Sequence, residues 1–120
     1  MAAVRSALVV VDRDGVILLW ADFAEELTGH APAAVIGHSL DVIIPPDRRE
    51  SHWRGFRAAM ESGTARAEGK GASVQILCGD GSIRRFPARF TLVRDVLGRT
   101  VGAAAAIVEP QPDDPPLHEL

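Results

Sequence analysis

The chain has 120 residues, of which 47% are hydrophobic and 24% are charged, a balance typical of one globular domain and not of a disordered chain. A formal net charge of −3 argues against a nucleic-acid-binding surface. No apolar run approaches the roughly 20 residues that span a bilayer, and a single cysteine, Cys78, excludes an intrachain disulfide. We therefore expect a cytoplasmic protein with no nucleic-acid partner and no membrane partner.

A hairpin is predicted at the start of the chain. Residues 7–12 and 16–20 form two apolar runs, and the turn sequence Arg13-Asp14-Gly15 separates them. Two apolar runs joined by a short Asp-Gly turn are typical of paired antiparallel strands.

Helical segments follow the hairpin. Asp22 could cap a short helix that Gly29 ends, and residues 31–36 indicate another helical turn. The longest helix is predicted to begin near Pro46, with acidic residues in its first turn, and to end near Gly63.

Three more strands are predicted in the second half of the chain. Residues 72–78 and 86–92 alternate in character around the turn Gly79-Asp80-Gly81-Ser82, and a last apolar strand covers residues 100–108. Two strands, several helices and three strands in this order favour an α+β fold with helices on one face of an antiparallel sheet.

His52 is the candidate functional residue. It shares one face of the long helix with Phe56, Ala59 and Met60, which follow it at helical spacing. Imidazole is the commonest protein ligand for metals. The alternative is an ordinary helix histidine that is hydrogen-bonded to backbone or to a carboxylate.

The chain resembles the PAS domain family over roughly residues 6–109. The motifs that carry the resemblance are Asp12-Arg13-Asp14-Gly15-Val16-Ile17, Trp20, Ala24-Glu25-Glu26-Leu27-Thr28-Gly29, Val35-Ile36-Gly37, Ile43-Ile44-Pro45-Pro46-Asp47-Arg48 and Gly79-Asp80-Gly81-Ser82. The resemblance implies a five-stranded antiparallel sheet with short helices and one longer helix on one face. We expect a single domain over residues 1–109 and a mobile tail, rich in Pro and Asp, over residues 110–120.

Residues 46–63 are similar to the haem-binding PAS domain of FixL-type oxygen-sensor kinases, where a proline-rich turn and an arginine precede a histidine on the long helix. This similarity implies that His52 is the axial ligand of the iron of haem b. Ala72 stands where those sensors carry a distal arginine. The residues that would line the cofactor are His52, Phe56, Met60, Ala72, Val74, Ile76, Phe90, Leu92 and Ala104.

The resemblance implies a haem-based gas or redox sensor that binds a diatomic gas and signals through a homodimer or a downstream protein such as a histidine kinase. The alternative is a haem-free PAS module for dimerisation, protein interaction or binding of a small apolar ligand. We expect no enzyme activity, because no Ser/His/Asp arrangement, phosphate-binding glycine loop or paired-carboxylate site is evident.

The remaining candidates carry weaker signals. The alanine run at residues 103–106 could leave room for a flat cofactor, let a helix pack closely, or mark a dimer surface. His30 and His38 flank glycine turns and are expected to be solvated, although His38 could act as a second axial ligand. Cys78 is expected to be a small core residue.

Overall fold

One five-stranded antiparallel sheet carries the fold of the chain, as a computed structural model describes it for residues 4–120. The spatial order is β2-β1-β5-β4-β3, and every neighbouring pair is antiparallel. The strands are β1 Ser6–Asp12, β2 Ile17–Asp22, β3 Ala72–Leu77, β4 Ile83–Arg94 and β5 Thr100–Val108. The predicted fold class and its five strands are confirmed.

Within the described residues, all helices lie between β2 and β3 in the chain. They are α1 Ala24–Thr28, α2 Pro32–Val35 and α3 Arg49–Ser62, with single turns of 3₁₀ helix at Leu40–Val42 and Pro46–Arg48. Gly29 and Gly63 end α1 and α3 with φ of 79° and 74°, as their positions predicted.

Two predictions about helix starts are wrong. The long helix begins at Arg49, because Pro46–Arg48 forms a tighter 3₁₀ turn before it. Asp22 does not cap α1: it is the last residue of β2, with φ of 58°, and Phe23 occupies the N-cap without a side-chain hydrogen bond.

The hydrophobic core lies on one face of the sheet and is divided into two clusters. The larger joins the sheet to α1 and α2 and includes Val9, Ile17, Trp20, Val35 and Phe86. The smaller cluster lies between α3 and the sheet and contains Ala59 and Met60 of α3 and Leu92 of β4. Phe56 and Ala103 pack against both clusters. Only two residues of α3, Ala59 and Met60, are buried, so this helix is attached to the sheet by a small apolar contact.

Arg5, near the first described residues, and the C-terminal segment both lie beside the sheet. Arg5 and Glu109 form an ion pair next to the ends of β1 and β5. Glu119 makes a parallel bridge with Ser73 on β3. The predicted domain includes residues 1–3, which lie outside the described residues, and the mobility of the tail stays a prediction. Within residues 4–120, no helix combines the length and apolar character required to cross a membrane.

Candidate functional site

His52 lies in the first turn of α3, among aromatic rings. The Trp53 ring meets it edge-on, with centroids 4.7 Å apart and an interplanar angle of 82°. The Phe56 ring stacks at a centroid distance of 6.0 Å and an angle of 24°. Because His52 and Phe56 are four residues apart, one helix turn brings their rings together. The imidazole is therefore held in largely apolar surroundings.

The Nδ1 atom of His52 is buried and has no hydrogen-bond partner within the described residues. Burial lowers the pKa of His52, and the charge of Asp41 opposes this only in part. The neutral imidazole is thus favoured. Buried polar atoms are normally paired, and an unpaired one costs about 1–3 kcal/mol. The Nδ1 atom of His52 therefore lacks the hydrogen bond expected of an ordinary helix histidine.

Asp41 and Arg49 hold the start of α3 in place. The Trp53 indole N–H donates to Asp41 Oδ1 at 2.7 Å. The Arg49 guanidinium donates to the carbonyl oxygens of Asp41 and Ile44 at 3.0 and 3.1 Å. These bonds join the loop before the helix to its first turn, so they set the position of His52.

Trp53 also rests on the first hairpin turn. Gly15 has φ of 80°, and a Cβ built on it would lie 2.2 Å from Trp53 Cη2. Our sequence reasoning missed Trp53, Asp41 and Arg49. The available signals were a tryptophan directly after the candidate ligand and a glycine in the Asp-Gly turn, but neither indicates which partner it meets.

An open cavity of about 340 Å³ lies beside the aromatic group. Its lining residues are Arg13, Asp14, Ser39, Trp53, Phe56 and Arg57. His52 does not line it, but its neighbours Trp53 and Phe56 do. Arg13 and Arg57 bring positive charge to a rim that also carries the Asp14 carboxylate, and the Arg13 guanidinium already donates to the Thr100 carbonyl oxygen.

Most predicted lining residues lie on the core-facing side of the sheet or on α3. Met60 and Leu92 are buried together under the helix, with Phe56 and Phe90 packed against them. Ile76 is buried in the larger cluster and Val74 packs against it. Ala72 is buried on β3 opposite Ala88 of β4.

The strand register corrects the predicted place of Ala104 on the cofactor side of the sheet. Residues paired across strands lie on the same face, and successive residues alternate. Ala103 pairs with Leu92 and Ala105 pairs with Phe90, whereas Ala104 pairs with Thr91. Ala104 therefore lies on the outer face, and Ala103 and Ala105 lie on the core-facing side. An all-alanine run carries no alternation from which this parity could be read.

The other histidines have different surroundings. The His30 ring is half-buried, and its Nε2 lies 2.8 Å from the Leu77 carbonyl oxygen, so the expectation of a solvated His30 is wrong. His38 is exposed. Cys78 is buried, and burial raises the pKa of its thiol. The described part of the chain has no group of three or more His, Cys, Asp or Glu residues arranged to hold a metal ion.

Comparison with known families gives a match to the PAS fold over residues 1–107. The chain belongs to the PAS family. This PAS domain is also 34% identical over 84 residues to the oxygen sensor protein DosP of Escherichia coli (strain K12). The match covers 70% of the chain and 10% of DosP, so the chain spans about a tenth of that relative's length.

Solved PAS domains share the fold at lower identity. A PAS domain from Colwellia psychrerythraea superposes with a TM-score of 0.71 at 22% identity, covering 85% of this chain and 83% of that one. The PAS domain of the quorum-sensing receptor RpfR from Cronobacter turicensis, in complex with BDSF, gives 0.62 at 21% identity, covering 88% and 95%. Structural neighbours of this PAS domain thus include one solved with a bound small molecule.

Proposed function

We propose that this PAS domain is a haem-based gas or redox sensor with His52 as the axial ligand of haem b. The observation that carries the proposal is the His52 imidazole, which lies among aromatic rings with a buried, unpaired Nδ1. A neutral imidazole in apolar surroundings is the form in which histidine ligates a metal. His52 and the aromatic residues around it therefore fit a haem group.

The space for the cofactor would lie between α3 and the sheet. The helix is attached there by the small cluster of Ala59, Met60 and Leu92, so separating it exposes little apolar surface. Phe56, Met60, Phe90 and Leu92 would form the walls, and the small side chain of Ala103 leaves room beside them. Bound haem would supply an iron that takes a diatomic gas or changes oxidation state.

Arg57 is the residue we assign to a haem propionate. It lies on the rim of the open cavity next to Phe56, and guanidinium pairs well with carboxylate. Arg54, the other basic residue on this part of the helix, forms an ion pair with Glu50 at 3.3 Å. Arg57 is thus the better placed of the two for an incoming anion.

A gas signal is supported by the similarity to DosP, which is an oxygen sensor protein. A second candidate is a haem-free module that binds a small apolar ligand in the same place. It is favoured by the RpfR PAS domains solved with BDSF and with C12:0, and by the apolar inner face of the sheet. In both candidates the ligand would bind between α3 and the sheet.

Output would pass through a homodimer or a downstream protein such as a histidine kinase. The outer face of the sheet carries small and apolar side chains, among them Val10, Ala104 and the exposed Ala106 and Leu19. A contiguous apolar patch of this kind usually marks a contact with another molecule. We assign the domain no catalytic step, and a cytoplasmic location stays a prediction.

The deciding experiment is haem reconstitution of the wild-type chain, His52→Ala and His38→Ala. We expect a Soret band in the wild type and in His38→Ala, and none in His52→Ala, with unchanged far-UV circular dichroism in all three. His38→Ala is the matched control because it removes an exposed imidazole. Full haem content in folded His52→Ala would refute the assignment, and a copurifying fatty acid in colourless wild-type protein would establish the alternative.

A further inference from the structure

The free edge of the sheet is covered by the C-terminal segment. β3 is an edge strand in the order β2-β1-β5-β4-β3, and edge strands expose unpaired backbone groups that other chains can join. Here the Ser73 N–H donates to the His118 carbonyl oxygen at 2.8 Å, and the Leu120 N–H donates to the Ser73 carbonyl oxygen at 3.0 Å. These two bonds add a short parallel pairing to the edge. Further along the edge, the Leu77 N–H donates to the Ile43 carbonyl oxygen at 2.9 Å.

Glu119 anchors this segment through its side chain. Its carboxylate accepts hydrogen bonds from Gln75 Nε2 at 2.8 Å and from Arg85 Nε at 3.1 Å. Arg48 Nη2 lies 3.5 Å from the same oxygen. The bonds from Gln75 and Arg85 lower the pKa of Glu119, so the carboxylate is charged at neutral pH.

The anchor joins the C-terminal segment to three elements that precede it in the chain. Gln75 belongs to β3, Arg85 to β4, and Arg48 lies directly before α3, the helix that carries His52. Arg48 also donates to the Leu120 carbonyl oxygen at 3.2 Å. The terminal segment therefore touches the sheet edge and the start of the helix at once.

The contact is open and its ion pairs are partly exposed. The Arg85 and Glu119 side chains are 64% and 35% exposed, and an open cavity of about 250 Å³ separates the prolines at 115 and 116 from Ser73 and Arg85. Ion pairs exposed to solvent contribute little individually and are weakened by salt. Such a contact can open without unfolding the sheet behind it.

We propose that residues 117–120 form a detachable strap that covers the β3 edge and is held there by the contacts of the Glu119 carboxylate. When the strap opens, the Ser73 backbone groups are released together with Arg85 and Arg48. Because Arg48 directly precedes α3, a shift of that helix would move Arg48 and so weaken or strengthen its contacts with Glu119 and Leu120. The proposal stands on backbone and ion-pair geometry and does not depend on haem.

Hydrogen exchange of the Ser73 amide in the full chain tests the strap. We compare the wild type with Glu119→Arg, Arg85→Glu and the double charge swap. Asp113→Arg is the matched control, since it makes the same charge change at an exposed tail residue with no described partner. We expect Ser73 exchange to rise roughly two- to fivefold in each single swap, to remain unchanged in the control, and to return toward the wild-type rate in the double swap.

Two measurements keep the test decisive. The Val9 amide of the central strand β1 must stay protected in every variant, and Glu119→Gln replaces Glu119→Arg if the latter does not fold. An unprotected Ser73 amide in the wild type, or equal protection in the wild type and both Glu119 variants, overturns the strap. Protection that rises with protein concentration also overturns it, because the segment on the edge would then come from a second copy.

Discussion

Trp53 occupies the space in which a side chain on Gly15 would begin. A Cβ at Gly15 would lie 2.2 Å from Cη2 and 2.3 Å from Cζ3 of the indole. The indole cannot swing away freely, because its N–H donates to Asp41 at 2.7 Å. The first hairpin turn and the helix that carries His52 are therefore held together at a contact where only glycine fits.

Gly15→Ala is expected to destabilise the domain more than the same change at Gly37. Both glycines have positive φ, 80° and 85°, so both substitutions introduce backbone strain of about 1–2 kcal/mol. A Cβ at Gly37 meets nothing within 4 Å, whereas a Cβ at Gly15 displaces Trp53, which adds about 1–3 kcal/mol. Urea unfolding measures both. Equal losses in the two variants would show that Trp53 yields without cost.

The half-buried, neutral imidazole of His52 leads us to expect a pH dependence of stability in the haem-free protein. Because burial lowers the folded-state pKa of His52 below 6.5, the unfolded chain takes up the proton first as the pH falls. Stability is therefore lost below about pH 6.5.

His52→Leu removes both this proton and the unpaired Nδ1. We expect the variant to be at least as stable as the wild type at pH 7, and its advantage to grow between pH 7 and pH 5. The difference between the two unfolding curves at each pH isolates His52, since the rest of the sequence is common to both proteins. A constant difference across this range would contradict the lowered pKa of His52.

The hydrogen bonds of Glu68 predict a second loss of stability on acidification, in the same direction as that of His52 but at lower pH. Its carboxylate accepts bonds from Arg94 at 2.9 Å, the Leu92 N–H at 2.7 Å and the Thr91 hydroxyl at 2.9 Å. With Arg94 contributing most, these bonds lower the pKa of Glu68 to about 2. A carboxylate with a depressed folded-state pKa stabilises the fold above its unfolded pKa, here 4.5, and this contribution is lost as the pH falls toward 2.

Glu68→Gln should lower the thermal midpoint at pH 7, and its difference from the wild type should shrink between pH 4.5 and pH 2. Glu61→Gln is the matched control, because Glu61 is exposed at the end of α3 and accepts no described hydrogen bond. We expect the control to match the wild type at pH 7. A thermal midpoint unchanged by Glu68→Gln would show that the loop holding Glu68 does not support β4.

Self-association is expected through the outer face of the sheet. Ala106 is exposed on that face, opposite Leu8 of β1 and Arg89 of β4. Ala106→Glu should therefore give a monomer, whereas Ala33→Glu, at an exposed position of α2, should behave as the wild type. Light scattering at about 100 μM measures the mass, well above the ~1 μM dissociation constant that corresponds to ~8 kcal/mol. A wild type that is monomeric at this concentration would remove the dimer.

Short sequence patterns correctly predicted the hairpin turns and the end of α3, because interactions between near neighbours in the chain determine these features. The Asp-Gly turns at Gly15 and Gly81 mark hairpins because glycine accepts the positive φ that these turns need, 80° and 87° here. Gly63 ends α3 for the same reason. The start of α3 was placed too early, since the first-turn preferences of Pro and acidic residues do not distinguish an α-helix from a 3₁₀ turn.

The sequence alone determined the order of strands and helices, and it singled out His52 on a helix face, because hydrophobic periodicity and turn chemistry act between near neighbours. Only the tertiary structure decided the face of Ala104, the fit of Trp53 on Gly15, the unpaired Nδ1 of His52 and the pairing of the C-terminal segment with β3. Each of these depends on contacts between residues distant in the chain. Strand register and packing set such contacts, and no local pattern encodes them.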